Sequence, residues 1–297
     1  MDNLGVIAGK YTTSPVRFDW YQGTAVCDPD ELRAVISDAA PYSEWKTKDR
    51  APQGYGIAWT LEDAAGRVCD VWAGGSHQYP HFVASGPSAH VVAEVVRGQL
   101  ARRHTISRAD PCIDFVGPGA YDQLQDACIA IAKATRVKIE TAGDHLVTFE
   151  GRTVYLGARS SHARARVYDK SAELRAKFAN CPDMLEAIPA HLTRLEGQVR
   201  PKSPEAKARA ATLSPLEFFG AAEWMRELML LVGGMELSPF EAGTVWRKSD
   251  DQRAYAAMVA QYGNMLARMA EDLGSWDNVG RTIGDDLAAY RRRSQKA

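Results

Sequence analysis

Two rhythms of apolar and polar residues run along this chain. The first has a period of two and marks strands. In residues 153–170, TVYLGARSSHARARVYDK, it sets Ala163, Ala165 and Val167 on one side and Arg164, Arg166, Tyr168 and Lys170 on the other. In His104–Val116 it sets Ile106, Arg108, Asp110, Cys112 and Asp114 against Ala109, Ile113 and Phe115. In His191–Arg200 it sets Arg194, Glu196, Gln198 and Arg200 against Leu195 and Val199. Three strands thus share one plan: an apolar side for a core, and a side carrying Arg with Asp, Glu or Tyr. Such a set predicts a mostly antiparallel sheet with helices on its apolar face and an open, charged face.

The second rhythm has the 3.6-residue period of a helix. It covers Ala89–Arg103, through Val91, Val92, Val95, Val96 and Leu100, and Tyr121–Thr135. It dominates the last third of the chain. Ser214, Pro215 and Glu217 form a capping-box start for a helix to about Val232, and Ser238, Pro239 and Glu241 repeat that signature. Ala254–Leu273 aligns Tyr255, Met258, Val259, Tyr262, Met265, Leu266 and Met269, a stripe suited to a core or a dimer contact.

Between these segments the pattern predicts a strand at Arg17–Val26 and a helix at Glu31–Ala39, capped by Asp28 with Pro29 at its first position. It predicts a hairpin of Gly54–Leu61 with Arg67–Ala73, and strands at Val137–Ile139, His145–Phe149 and Thr153–Leu156, with a tight turn at Glu150–Gly151. Ser171–Phe178 reads as helix. Residues 41–53, Gly74–Ser88 and Asn180–Pro182 read as loops, and Lys202–Ala211 as a charged linker. The expectation is an α+β fold in two parts: a sheet domain over 1–212 and a C-terminal helical region over 213–297.

Composition narrows the class. The chain has 297 residues, 45% hydrophobic and 25% charged, enough to bury a sizeable core. No apolar run approaches the roughly 18 residues of a membrane helix. The first twenty residues lack the plan of a signal peptide. Five scattered cysteines, an odd number without a CxxC pair, suit reduced thiols in a cytoplasmic protein and no zinc site. Net charge is −1, but its distribution is uneven. Lys and Arg stand against Asp and Glu as 8 to 12 in residues 1–100, 18 to 13 in 101–212 and 10 to 12 in 213–297. The middle third is therefore +5, a local basic surface of the kind that meets a polyanion. Arg291–Arg293 adds a small basic patch at the tail.

The residue types on the charged strands suggest chemistry. Arginines hold a phosphodiester by paired hydrogen bonds, and a tyrosine oxygen can attack one. A solvated basic strand is the plain alternative. Asp110 and Asp114, four apart on one strand face beside Arg108, repel unless something positive lies between them. A divalent cation with oxygen ligands meets that need, and so does an Arg–Asp network. His77 and His81 are four apart, but Pro80 between them argues against a helical metal pair.

Through these residues the chain resembles the Rep_trans-type rolling-circle replication initiators of small plasmids and filamentous phages, whose relatives include relaxases of mobile elements. SRADPCIDF resembles the family's Arg-x-Asp-x-x-x-Asp strand. YLGARSSHARARVYDK resembles Tyr-x-Gly-x-Arg-x-Ser followed by Arg-hydrophobic-Tyr-acidic/Asn-Lys, and RLEGQVRP resembles the strand with Arg and Glu. The blocks lie in family order over about Arg108 to Pro201. Asp19–Trp20 and the glycines after Trp72 are weaker points of likeness.

The resemblance implies an enzyme that nicks and rejoins origin DNA through a 5′-phosphotyrosyl link, leaving a 3′-hydroxyl that primes synthesis. It implies Tyr168 as nucleophile, with Tyr155 as the rival, and Arg166 as a catalytic partner. It implies Asp110, Asp114 and Glu196 as ligands of Mg²⁺ or Mn²⁺, and contacts to DNA from Arg108, Arg159, Arg164, Lys170, Arg194 and Arg200. The expected partners are origin DNA, a host helicase and a second copy of the chain, with no membrane. Thr153 stands where some members carry an acidic residue, and no His-hydrophobic-His metal pair is present. A relaxase with the same chemistry and a non-catalytic origin binder are the alternative readings.

Overall fold

A computed structural model describes residues 7–64, 66–242 and 250–294. Its strands are β1 (Thr12–Thr13), β2 (Arg17–Ala25), β3 (Glu44–Lys48), β4 (Ile57–Asp63), β5 (Gly66–Ala73), β6 (His81–Ser85), β7 (His104–Val116), β8 (Ile139–Ala142), β9 (Thr153–Leu156), β10 (Ala163–Asp169) and β11 (Leu192–Val199). Its helices are α1 (Pro29–Ser37), α2 (Ala89–Leu100), α3 (Ala120–Thr135), α4 (Lys170–Lys177), α5 (Pro182–Glu186), α6 (Pro204–Ala210), α7 (Glu223–Gly233), α8 (Asp250–Asp272) and α9 (Trp276–Ser294). The fold is α+β, built on one large antiparallel sheet in the order β3-β4-β5-β6-β2-β7-β11-β10-β9-β8, with β1 paired to β7. No helix of the described residues is long and apolar enough to cross a membrane.

β7 is the axis of this sheet. At 13 residues it is the longest described strand, and it pairs with β2 on one side and β11 on the other. One sheet face makes the core. Phe18 and Tyr21 of β2, Phe115 of β7, Val167 of β10, and Leu195 and Val199 of β11 are buried there with Val92 and Val96 of α2, Leu124 and Ile131 of α3, and Met225 and Leu228 of α7. The alternation within β10 and β11 is as the sequence predicts: their apolar positions enter this core.

β7 departs from simple alternation. Register shifts against β2 fall between Gln22 and Gly23 and between Phe18 and Trp20. The first places Ile106 opposite Gly23, and Ile106 is fully buried in the core instead of joining Arg108 on the charged face. Gly23 permits this packing, because a Cβ there would stand 2.2 Å from the Thr105 carbonyl oxygen. The second shift lies beside Pro111, so the proline occupies a central strand where the ladder is already irregular.

Several segments differ from their sequence reading. Residues 41–53 contain β3, an edge strand whose exposed Lys46 and Lys48 hide the usual apolar alternation. Gly74–Ser88 contains β6, a buried interior strand masked by its Gly, Pro and Ser neighbours. Residues 145–149 are not a strand: Asp144 gathers their backbone into a turn. The stretch around Pro182 begins α5, and the linker contains α6, capped by Ser203 with Pro204 at its start. The helix expected from Ser214 is broken: a 3-10 turn at Leu216–Ala221 precedes α7, and Ala222 is extended. The break accompanies close packing, because Phe240 N donates to the Gly220 carbonyl and a Cβ on Gly220 would meet Ser238 O at 2.4 Å. Ser238–Ala242 is irregular, and its continuation falls outside the described residues, as do the side chains of Arg291 and Arg293.

The chain forms two compact units, Met1–Val245 and Trp246–Ala297. The sequence reading set its division at 212/213; α7 belongs to the first unit, where its buried face joins the core. The second unit is a helical hairpin of α8 and α9, turned at Gly274 (φ +79°) and capped where Ser275 Oγ accepts from Asn278 N.

Candidate active site

The face of the sheet opposite the core gathers the charged positions of β7, β10 and β11. Register brings them together: Arg166 lies across from Glu196, Tyr168 across from Arg194, and Arg194 across from Asp114. Glu196 lies across from Cys112, which separates Asp110 from Asp114 on the same face. This face is not simply wet. Asp110, Asp114, Tyr168, Arg194 and Glu196 are all buried.

Glu196 is the hub. Arg166 Nη2 donates to both its oxygens, at 2.7 and 2.8 Å. The Tyr168 hydroxyl donates to Glu196 Oε2 at 3.3 Å. The Arg166 guanidinium lies 4.8 Å from the centre of the Tyr168 ring, and Lys170 Nζ lies 5.6 Å from it. Lys170 in turn is paired with Glu173 at 2.7 Å.

The other two carboxylates have their own partners. Arg108 grips Asp110 through Nε, at 2.9 Å, and Nη2, and stacks 4.1 Å over the Trp20 ring. Asp114 is held by Arg194 Nε and Nη2 at 2.6 and 2.9 Å and by Arg17 Nη2 at 2.5 Å. Arg194 also reaches Asp19 at 2.6 Å. Among the described residues no group of three His, Cys, Asp or Glu side chains stands where it could hold a metal ion. Asp110 and Glu196 do adjoin. Burial pushes both carboxyls up from their ordinary values, and Asp110 adds to the rise at Glu196, taking it to about 7. Burial also pushes Asp114 up, but Arg194 and Arg17 outweigh it and hold that carboxyl below the usual range. Two crowded, poorly solvated carboxylates suit a divalent cation; Asp114 is already neutralised by two guanidiniums.

Burial raises the Tyr168 hydroxyl above the ordinary phenol value, and Glu196 raises it further. Arg194 and Arg166 act in the lowering direction but do not prevail. The cations alone therefore do not activate this oxygen, and its neighbouring carboxylate is the group placed to take its proton.

Unmatched donors line the approach. The Arg164 guanidinium stacks 4.0 Å over the Tyr155 ring and reaches Glu140 at 3.3 Å. The Nε atoms of Arg164 and Arg166 are buried without a hydrogen-bond partner. Burial lowers the pKa of Arg200, and Arg108 and Arg164 lower it further, the mark of cations crowded together without enough counter-charge. A cavity of about 120 Å³ lies among Tyr155, Arg164, Arg166, Glu196 and Gln198. A wider hollow of about 870 Å³ holds Tyr155, Arg166 and Tyr168 with Phe149 and Arg175. Arg159 is exposed, and Lys138, together with Arg159 and Arg164, holds the Glu140 carboxyl below its ordinary value.

Sequence reasoning places Gln198 on the charged face without a role, and does not single out Arg17 or Glu140. Arg17 and Asp19 lie on β2, a strand the sequence predicts but whose only functional signal is the Asp19–Trp20 pair, and their roles depend on pairing across β7.

No protein-family model matches the chain, and no curated protein matches it in sequence. Among solved structures, it is similar to a rolling circle replication initiator protein from Geobacillus stearothermophilus. The two are 15% identical, the match covers 81% of this chain and 91% of that one, and the TM-score is 0.50. The likeness is one of fold.

Proposed function

We propose that this protein initiates rolling-circle DNA replication by nicking and rejoining an origin strand, with Tyr168 as the nucleophile. The observation that carries the reading is the Tyr168 hydroxyl, hydrogen-bonded to a buried glutamate and opening on a hollow beside unmatched arginines. The fold likeness and the three motif blocks support it from independent directions.

In this reading a phosphodiester enters the hollow with its anionic oxygens toward Arg164, Arg166 and Arg200. Tyr168 Oη attacks phosphorus as its proton passes to the Glu196 carboxylate. The bond from phosphorus to the 3′ oxygen breaks, and that oxygen leaves with the electron pair and takes a proton from solvent. The 5′ phosphate remains on Tyr168 as a diester, so the link stores the energy for rejoining. Arg166 stabilises charge building on phosphate and keeps Glu196 in place. Asp110 and Glu196 would hold Mg²⁺ or Mn²⁺, and when bound such an ion supplies Lewis-acid polarisation of a phosphoryl oxygen. Asp114 fixes Arg194, which spans from β11 to Asp19.

Relaxation of supercoiled DNA carrying the origin, with Mg²⁺, tests this reading. The expected outcome is nicking by the parent and by Tyr155→Phe, none by Tyr168→Phe, and none in EDTA. Nicking that survives Tyr168→Phe removes the assignment.

A further inference from the structure

One feature near the hollow belongs to neither the core nor the arginine face. Between β8 and β9, residues 143–151 form a closed loop. Its neck is tight: Asp144 N donates to Glu150 O, and a Cβ on Gly143 (φ +89°) would stand 2.3 Å from Gly151 O. Its interior is one carboxylate. Asp144 accepts from the backbone N–H groups of Leu146, Val147 and Thr148 at 2.8, 2.9 and 2.8 Å, and from Thr148 Oγ1 at 2.9 Å. These bonds hold the Asp144 carboxyl well below the usual range. Phe149 takes a left-handed backbone (φ +58°), which aromatic residues seldom adopt. The loop is thus built, with its backbone donors spent inward.

What it presents outward is apolar. Leu146 is 86% exposed and Val147 79% exposed, side by side at the tip. Two neighbouring aliphatic side chains held out on a hydrogen-bonded turn gain nothing for folding and leave an apolar tip open to a partner. The position indicates the kind of contact. Phe149, Glu150 and Gly151 line the same hollow as Tyr155 and Tyr168, so the loop that carries the tip borders the proposed nicking site. Arg175 lines that hollow, and Arg152, paired with Asp122 at 2.7 Å and stacked 4.1 Å over Tyr121, lies 5.5 Å from the Phe149 ring with its Nε buried and unpartnered. An apolar tip on a loop whose base adjoins cations suits a base pair flanked by phosphates. Proteins that unstack DNA insert such aliphatic wedges between base steps.

Building on the nicking function above, we propose that Leu146 and Val147 form a wedge that unstacks DNA at the junction of duplex and single strand, delivering the freed strand to Tyr168. The wedge reads no sequence, so a generic fork serves as the probe. The fork carries 2-aminopurine at the junction, a base that brightens on unstacking, and binding is measured in EDTA so that no cleavage intervenes. The parent is expected to raise the fluorescence several-fold at saturation. Leu146→Ser with Val147→Ser is expected to bind the fork, by anisotropy, and to lose most of that rise. Asp144→Ala, which keeps the apolar tip but releases its backbone, is expected to lose it too. Because the double variant alters only exposed groups, it should melt with the parent. Equal brightening by parent and double variant overturns the wedge, and so does a parent that binds the fork without brightening it. Nicking of a single-stranded oligonucleotide, followed in parallel with Mg²⁺, reports on Tyr168 alone. The double variant is expected to match the parent there, and failure of the parent in that arm counts against the nicking function without touching the fluorescence result.

Discussion

The uncovered face of the sheet has two halves that solve the same problem differently. Around β2, β5 and β6 its polar groups are mostly satisfied by one another, with Trp72 Nε1 the buried donor left unmatched. Trp20 Nε1 donates to Gln22 Oε1, Gln22 Nε2 meets His81 Nε2 at 3.0 Å, and His81 Nδ1 meets Thr24 Oγ1 at 3.1 Å. His81 stacks on Trp72 with ring centres 5.3 Å apart, and Tyr55 stacks on His77 at 3.9 Å. Burial pushes His81 down to about 4, so this half keeps a neutral imidazole at neutral pH. Around β7, β10 and β11 the polar groups are not all satisfied. Two buried arginine Nε atoms lack partners, Arg200 is crowded by cations, and Asp110 and Glu196 crowd each other. Low dielectric makes an unmet buried polar group costly, so the second half carries a deficit that a bound phosphate and cation would remove. One half is a finished surface but for Trp72 Nε1; the other would be completed by the phosphate and cation proposed above.

Substitutions should separate the halves by the size and kind of their effects. Tyr168→Phe is expected to lower single-turnover nicking by roughly a thousandfold or more, as loss of a covalent nucleophile does, while fork binding stays close to the parent. Glu196→Gln removes the proton acceptor and is expected to cost about 10²–10⁴-fold in the same assay. Arg164→Ala or Arg200→Ala should weaken binding and reduce the slope of log affinity against log salt by about one unit each, the value for one phosphate contact.

The finished half should answer in stability instead. His81→Gln is expected to nick within a few-fold of the parent at neutral pH. The folded His81 pKa lies below its ordinary value of 6.5, so the unfolded chain binds a proton that the native one refuses. Stability from this group is present above pH 6.5 and is lost as pH falls toward 4, by on the order of 3 kcal/mol in all. His77 and Lys207 add to the depression. Urea unfolding at neutral pH and near pH 4.5 should show a smaller acid loss for His81→Gln than for the parent. Equal losses would mean that the carboxylates alone set the acid response.

The same contrast explains what could be read from residues alone. β10 and β11 keep strict alternation beside a core, so the shared facing of Tyr168, Arg166 and Glu196 follows from a period of two, while their meeting depends on the pairing of the two strands. β6 is an interior strand of five residues whose two polar positions, His81 and Ser85, are too few to show alternation, and Pro80 beside it reads as a break. Ile106 was misplaced because a bulge inverts facing without leaving a mark in the local sequence. The partners of Asp114 were illegible for a different reason: Arg17 and Arg194 lie 97 and 80 residues away, and only the strand order brings them to it. Residues 145–149 misled because Val147, Thr148 and Phe149 favour strands, whereas the carboxylate of Asp144 captures the backbone first.

The most direct test follows the covalent bond. Parent protein, incubated with Mg²⁺ and a single-stranded oligonucleotide that it cleaves, is denatured, digested, and sequenced by mass spectrometry for a nucleotide-bearing peptide. The account predicts a 5′-phosphate adduct on Tyr168 within the Ala163–Lys170 segment. An adduct on Tyr155, or cleavage with no adduct on any tyrosine, would contradict it.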